Sequence, residues 1–391
     1  MTDAVIIAAV RTPIGRSGRS LAPLTLGDIG AQTVAGAIAA SGIDGGDIDD
    51  LRIGEVLQGG GCTARYIAHQ LGLPADTPGG AVQRQCATGM MAVQDAAATI
   101  RSGMARVMVA GGIESMTRSP LLFAKSPLPF GGVQQFLPPS HPDMADAPNM
   151  NMLITVGENT ARECGITREE SDHWSYHSNL RAAAAADDGR FAEEIIPVTV
   201  PVGRGETATV SVDEHPRRDT TPEKLAALPS LTGPDGTITA GNSSGIADGG
   251  AALVLVDRAY AEAHGFAVLA TVRSWSSCGI EPARTGLAPT VCVPRALELG
   301  GVTTSDVDLV EINEAFATMA VACSRKLGFS HDMVNVNGGA VGIGHPVAAS
   351  GARILVTLIH ELRRRGGGIG VGTLCAGGGM GSATVLEVGA G

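Results

Sequence analysis

Apolar runs too continuous for half-exposed strands alternate along this chain with segments of helical spacing. AVIIAAV (4–10) opens the pattern and suits a strand buried on both faces. A turn with Pro13 and Gly15 follows, then a helix over Leu26–Ser41. DLRIGEVLQG (50–59) is the next predicted strand, and Ala64–Leu71 a short helix. Near residue 82 the order is strand and turn (AVQRQCATG), helix (GMMAVQDAAATIRSG) and closing strand (RVMVAGG). Repeated βα alternation of this kind predicts an α/β domain. From Ser119 to about Thr239 prolines and polar residues come first, then two or three helices. The clearest starts at Thr167, where TREE forms a capping box with Glu170, and it ends near Asp188–Gly189. This segment reads as an insertion, after which GGAALVLVDRAYAEAHG (249–265) returns to strand and helix.

The last third repeats the first. DVDLVEINEAFATMA (306–320) echoes DIDDLRIGEV (47–56). The helix after Ser350 and the following GIGVGTLCAGGG echo the helix after Gly89 and the following ARVMVAGGIE. A duplicated α/β unit is therefore expected, with a site between its halves near equivalent strand–helix junctions. The stretch VNVNGGAVGIGHPVAAS (334–350) is the focus of the second unit. It reads as a short strand (VNVN), an irregular glycine-rich loop holding His345, and an amphipathic helix. In that helix Ile354, Leu355, Leu358, Ile359 and Leu362 recur at helical spacing.

Composition narrows the classes. At 391 residues the chain is long enough for two or three domains, and with 3% aromatics its core must be Ala, Val, Leu and Ile. Fifty-four glycines without a G-X-Y period point to tight turns and close packing, not collagen. A net charge of −11 disfavours nucleic acid and anionic membrane as general partners, although a local basic patch could hold a small anion. None of the seven cysteines forms a CxxC pair, which argues against structural zinc, and no metal site is expected. No apolar run reaches transmembrane length, and strand-like residues begin at Ala4. A cytoplasmic, disulfide-free protein is expected.

Two cysteines have chemical surroundings. Cys86, in QRQCATGM, precedes an amphipathic helix whose positive end should lower the thiol pKa. Cys375 ends an apolar strand and runs into three glycines, whose exposed N–H groups suit an oxyanion. Asn313 and Glu314, in EINEAF, end another strand, where either could instead cap the helix that follows. The remaining five cysteines read as structural, as any buried thiol can. Two cysteines, a histidine and an asparagine at strand ends suggest nucleophilic acyl transfer, with the second sulfur shuttling a proton.

Five ordered motifs carry a resemblance over nearly the whole chain. QRQCATGMMAV (83–93), GNSSGIADGGAA (241–252), NEAFA (313–317), GGAVGIGHPVAASGAR (338–353) and LCAGGGMG (374–381) are similar to those of thiolases, the acetyl-CoA C-acyltransferases. The resemblance implies a five-layer α/β fold of two βαβαβαββ halves with an inserted loop domain. Its divisions would be an N-terminal domain of residues 1–118 and 240–267, the insertion at 119–239, and a C-terminal domain at 268–391. It implies that Cys86 accepts the acyl group and His345 activates it. Cys375 would be the acid/base, and Asn313 would orient a water in a first oxyanion hole with His345. The N–H groups of Cys86 and Gly377 would form the second hole. Ser244 would meet the pantetheine of coenzyme A, with Arg217 and Lys224 near the nucleotide and its phosphates. Coenzyme A would be a co-substrate rather than a bound cofactor, and the assembly a homodimer or homotetramer.

The implied reaction is thiolytic cleavage of a 3-oxoacyl-CoA, reversible as a Claisen condensation. The alternatives are a biosynthetic acetoacetyl-CoA thiolase and a non-catalytic acyl-CoA-binding relative. Three departures bear on substrate: Cys86–Ala87–Thr88–Gly89 replaces CxSG with its adjacent glycine, Lys224 stands where serine is common, and Met152–Leu153–Ile154 replaces a His-Met-Gly contact of short-chain members. Cys375 argues against a decarboxylating condensing enzyme, NEAF against the sterol-carrier branch, and the duplicated frame against a papain-like protease.

Overall fold

The computed structural model describes residues 3–149 and 152–389. Among these residues nine strands carry the main sheet: β1 (Ala4–Arg11), β2 (Asp50–Gly54), β3 (Gly79–Val82), β4 (Val107–Ser115), β5 (Ala247–Asp257), β6 (Ala270–Gly279), β7 (Leu309–Ile312), β8 (Gly368–Ala376) and β9 (Met380–Val388). Their spatial order is β7-β8-β9-β6-β1-β5-β4-β2-β3, with the two-residue strand Gly15–Arg16 beside β5. The duplication is plain in this order. In one half β2 runs parallel to β4, and β4–β5 and β5–β1 are antiparallel. In the other, β7 runs parallel to β8, and β8–β9 and β9–β6 are antiparallel. The halves join where β1 meets β6 through Val5–Thr271 and Ile6–Ala270.

One predicted strand is missing. β3 lies parallel to β2, but its counterpart VNVN makes only a single bridge, Val334 to Val310. Asn335 adopts a left-handed conformation (φ 48°), and its side chain takes over the ladder. Its Oδ1 accepts the Ile312 N–H at 2.8 Å and its Nδ2 donates to the Ile312 carbonyl at 2.9 Å.

Seven helices matter for the site: α1 (Leu26–Ser41), α2 (Thr88–Arg101), α3 (Met152–Cys164), α4 (Arg168–Asp187), α5 (Pro289–Gly300), α6 (Ala317–Leu327) and α7 (Ser350–Arg364). Strand alternation sorts the core into three slabs. On β1, Ala4, Ile6 and Ala9 face a central cluster, while Val5, Ile7 and Val10 face α1 in an outer one. On the other half Leu374 and Leu386 face the centre, and Val371 and Val385 face the outer side with α5 and α6. Helices α2 and α7 fill the centre, so the section reads helix, sheet, helix, sheet, helix.

The helix after Ser350 is therefore not amphipathic in its setting. All of its first ten residues are buried, polar Arg353 among them, and Glu361 is buried too. Arg353 pairs with Glu311 at 3.0 Å, and Glu361 accepts from Asn337 and Arg365. Fully burying a Leu or Ile stabilises by about 1.5–3 kcal/mol, so Leu358→Ala should cost ~2–5 kcal/mol.

Two glycines set how closely the central helices approach. A Cβ on Gly89 would lie 2.7 Å from the Ala348 carbonyl oxygen, and one on Gly351 would lie 2.5 Å from the Met90 nitrogen. Backbone cannot yield there as a flexible side chain could, so the starts of α2 and α7 meet only because both positions are glycine. The 119–239 segment is tied to this frame by fully buried Arg11 on β1, which meets Glu194 at 2.6 Å and Asp213 through two bonds of 2.7 and 2.8 Å.

Candidate active site

The turn between β3 and α2 presents Cys86. Its shape is held by Gln85 in the left-handed region (φ 48°) and by the Arg84 N–H to the Thr88 hydroxyl at 2.8 Å. His345 arrives from the other half, two residues after a short helical turn, Ala340–Ile343, inside the stretch expected to be irregular. Its N–H bonds to the Gly245 carbonyl at 2.9 Å, and Ser244 N–H bonds to the Ala315 carbonyl at 3.1 Å. The 241–246 loop is thus stitched on one side to the histidine and on the other to the NEAFA turn.

These connections bring His345 Nε2 to 3.3 Å from Cys86 Sγ, with both side chains buried. The other ring nitrogen, Nδ1, lies 2.6 Å from Ser350 Oγ, and that hydroxyl donates to the Pro346 carbonyl at 2.9 Å. A hydroxyl that spends its proton on Pro346 must accept from Nδ1–H. Nε2 is then the unprotonated nitrogen, facing the thiol as a base. Sequence reasoning missed Ser350. The available signal was a hydroxyl five residues after the histidine, at the first position of a helix.

Burial dominates the electrostatics. It pushes the Cys86 thiol up to about 11, although the N–H groups of Gly377 and Cys86 itself point at the sulfur and oppose the shift; nearby Glu114 adds to it. The lowered pKa expected at this helix start is therefore not found, because desolvation outweighs the N–H groups on the sulfur. Burial and then the charge of Arg353 push His345 down to about 4. At neutral pH the resting pair is thiol and imidazole, with no ion pair.

Cys375 is buried at the end of β8, and burial followed by proximity to Cys86 raises its pKa. Its Sγ lies 3.7 Å from Met319 Sδ. Asn313 follows β7, its N–H on the Thr373 carbonyl at 3.0 Å, so Asn313 and Cys375 sit at the ends of adjacent parallel strands. The Asn313 carboxamide is buried, and neither Oδ1 nor Nδ2 has a protein partner among the described residues. Neither Asn313 nor Glu314 caps α6, whose N-cap is Phe316. Glu314 instead accepts from Trp174, Ser178, Asn335 and Val341 N–H at 2.6–3.0 Å, binding the NEAFA turn to the segment that leads to His345.

The residues expected to meet coenzyme A lie further out. Ser244 is half-buried, and Arg217 is exposed with its N–H on Asn179 Oδ1 at 3.3 Å. Lys224 is engaged by Asp219 at 2.8 Å and Arg218 by Asp187, so among the described residues Arg217 alone of the three lacks an acidic partner. Met152 opens α3, and its side chain lies outside the described residues.

A buried thiol–imidazole pair, N–H groups on the sulfur and a second thiol close by, set between duplicated α/β halves, define an acyl-transferring enzyme. Family models for the thiolase N-terminal domain and C-terminal domain match residues 4–259 and 266–388. An acetyl-CoA acetyltransferase of Escherichia coli is 42% identical over 99% of both chains. A beta-ketoadipyl-CoA thiolase of Acinetobacter baylyi is 37% identical over 99% of this chain and 100% of its own. The crystal structure of human mitochondrial 3-ketoacyl-CoA thiolase superposes with a TM-score of 0.92 at 35% identity, covering 99% of each chain. The chain belongs to the thiolase family, with the thiolase fold, and is an acyltransferase.

Proposed function

We propose that this protein cleaves a 3-oxoacyl-CoA with free coenzyme A, giving acetyl-CoA and a shortened acyl-CoA, through an acyl group carried on Cys86. The observation that carries the reading is the Cys86–His345 contact at 3.3 Å with the Gly377 N–H on the sulfur. The thiol attacks the 3-oxo carbon as its proton passes to His345 Nε2, and Ser350 accepts from the imidazolium thus formed. Carbon–carbon cleavage leaves an acetyl-CoA enolate, which Cys375 protonates. Asn313, through a water, and His345 stabilise the thioester oxygen; the N–H groups of Cys86 and Gly377 stabilise the oxygen on the carbon bound to Cys86. Coenzyme A then takes the acyl group from Cys86.

The coenzyme lies along the 119–239 insertion, with Ser244 at the pantetheine and Arg217 near the phosphates. Lys224 contributes only if it leaves Asp219. The divisions 1–118 with 240–267, 119–239 and 268–391 are the working domain boundaries, and the protein acts as a homo-oligomer in the cytoplasm. The names of the acetyl-CoA acetyltransferase relatives favour a second reading, acetoacetyl-CoA formation or cleavage. Against restriction to that chain length stands Met152–Leu153–Ile154 in place of His-Met-Gly. Brief incubation with acetyl-CoA, digestion and mass spectrometry should find the acetyl group on the Cys86 peptide. An adduct on Cys375 instead would reverse the two roles, and a panel of 3-oxoacyl-CoA chains would separate the two readings.

A further inference from the structure

Away from the catalytic residues, a cleft of about 870 Å³ opens between the start of α4, the short helix Pro222–Ala226, α6 and the turn His331–Met333. That size is within the range of small-molecule sites. Its lining is mostly apolar, with Trp174, His173, His331, Val321, Pro222 and Ala226 around it. The Trp174 and His331 ring centroids are 4.6 Å apart at an interplanar angle of 37°, and His177 meets His331 edge-on at 5.4 Å. Burial, Arg181 and the neighbouring histidines push His331 down to about 4, so its ring is neutral and does not repel a cation.

The charges around the opening decide the class of occupant. Arg168 is committed to Asp172 at 2.7 Å and to the Leu225 and Leu228 carbonyls, and Arg325 to Glu170 at 2.6 Å. Glu169 and Glu223 also line the cleft, and among the described residues neither has an ion-pair partner. The uncompensated charge is therefore negative, beside the imidazoles of His173 and His331 and the small part of Trp174 left exposed, about 7%.

The floor of the cleft also touches Glu314, the residue next to Asn313. Trp174 Nε1 donates to Glu314 Oε1 at 2.8 Å, while Glu314 Oε2 accepts the Val341 N–H at 3.0 Å. Asn313 is the neighbour of that carboxylate in sequence. We infer that this cleft is a regulatory site for a planar aromatic ammonium ion of the arylalkylamine class. Its ring rests on the imidazoles that cover Trp174, its ammonium lies at the Glu169 and Glu223 rim, and displacement of the indole is passed through Glu314 to Asn313.

The chain has two tryptophans, so Trp275→Phe leaves Trp174 as the only indole reporter. In that variant, without substrate, phenethylamine should give a saturable change in indole emission, excited where the amine does not absorb. The isosteric anion 3-phenylpropionate should give none. Glu169→Gln combined with Glu223→Gln, both exposed, should weaken the amine about tenfold while leaving amine-free turnover unchanged. Turnover of the wild-type enzyme should change over the same amine concentrations. Non-saturable emission, equal binding of the anion, or unchanged affinity in the double variant would overturn the site. Saturation with unchanged turnover would overturn its regulatory role. Because the binding arm uses no substrate, its result stands apart from the assignment of the thiolase reaction.

Discussion

Ser350→Ala removes one atom and tests the proton path. The lost Oγ is 2.6 Å from His345 Nδ1 and 2.9 Å from the Pro346 carbonyl. Pro346 is little affected, because its oxygen still accepts the Ala349 and residue-350 N–H groups, both at 3.0 Å. The histidine is affected more, since a buried N–H left without a partner costs about 1–3 kcal/mol. The ring escapes that cost by moving its proton to Nε2, which points a hydrogen at Cys86 and removes the base. Either way the attacking arrangement is less populated, by about 5- to 150-fold. The imidazolium formed during attack also loses its acceptor, which adds to the barrier. Single-turnover acetylation of Cys86 by acetyl-CoA reads this step, and alkylation by iodoacetamide reads thiol activation without the coenzyme. Both should slow in Ser350→Ala and recover partly in Ser350→Thr. Folding should weaken by only ~1 kcal/mol. A folded Ser350→Ala that acetylates and alkylates within about twofold of wild type would refute the assigned tautomer.

Three further outcomes follow from the same geometry. Cys375→Ser should still accept an acetyl group on Cys86 yet lose carbon–carbon cleavage by at least about 100-fold, because the hydroxyl is a poor acid, whereas His345→Ala should slow both half-reactions; wild-type cleavage by Cys375→Ser would remove Cys375 from the mechanism. Because His345 takes a proton only near 4 and Cys86 loses one only near 11, acetylation should be level from about pH 5 to 9 and fall below that range as the imidazole protonates. A steep limb near neutrality would contradict this and point to Glu114, which burial pushes up to about 7. Arg217→Ala should raise KM for acyl-CoA about two- to fivefold, and hardly for a pantetheine thioester lacking the nucleotide; equal losses on both would place the nucleotide elsewhere.

The elements with complete local signals were legible in the chain. Helix α1 has the predicted bounds because Thr25 and Asp28 form a capping box and Gly42 closes the other end with φ 70°. Helix α4 starts after the Thr167–Glu170 box for the same reason. The duplication was legible because order survives where identity does not. What failed depended on partners distant in sequence. VNVN has strand composition, but the Asn335 side chain bonds to Ile312 and ends the ladder. The helical spacing after Ser350 shows one apolar face and cannot show that Glu311, on β7, makes burial of Arg353 possible. A helix start beside Cys86 was visible, whereas the enclosure that raises its pKa needs residues of both halves packed together. Among the described residues the basic cluster at Arg217, Arg218 and Lys224 is likewise reduced to one uncommitted cation by Asp187 and Asp219.

That enclosure explains why an unreactive resting thiol is compatible with nucleophilic catalysis. Burying a permanent thiolate–imidazolium pair would carry a desolvation cost at every moment, whether or not substrate is bound. Here the pair is neutral at rest, and charge appears only as the sulfur attacks. The groups that then stabilise it are already in place and aligned. Among the described residues neither α2 nor α7 has a side-chain cap, their N-caps being Ala87 and Ala349; the Thr88, Ser350 and Ala352 N–H groups are taken by backbone carbonyls, so what the convergence offers is the positive ends of both helices. Gly89 and Gly351 allow that convergence, and the Gly377 N–H comes from the loop after β8. A methyl at either crossing glycine would push one helix start from the other and separate Cys86 from His345. On this reasoning Gly351→Ala should acetylate Cys86 more slowly even if its fold survives, because a backbone nitrogen 2.5 Å from the new methyl has to move.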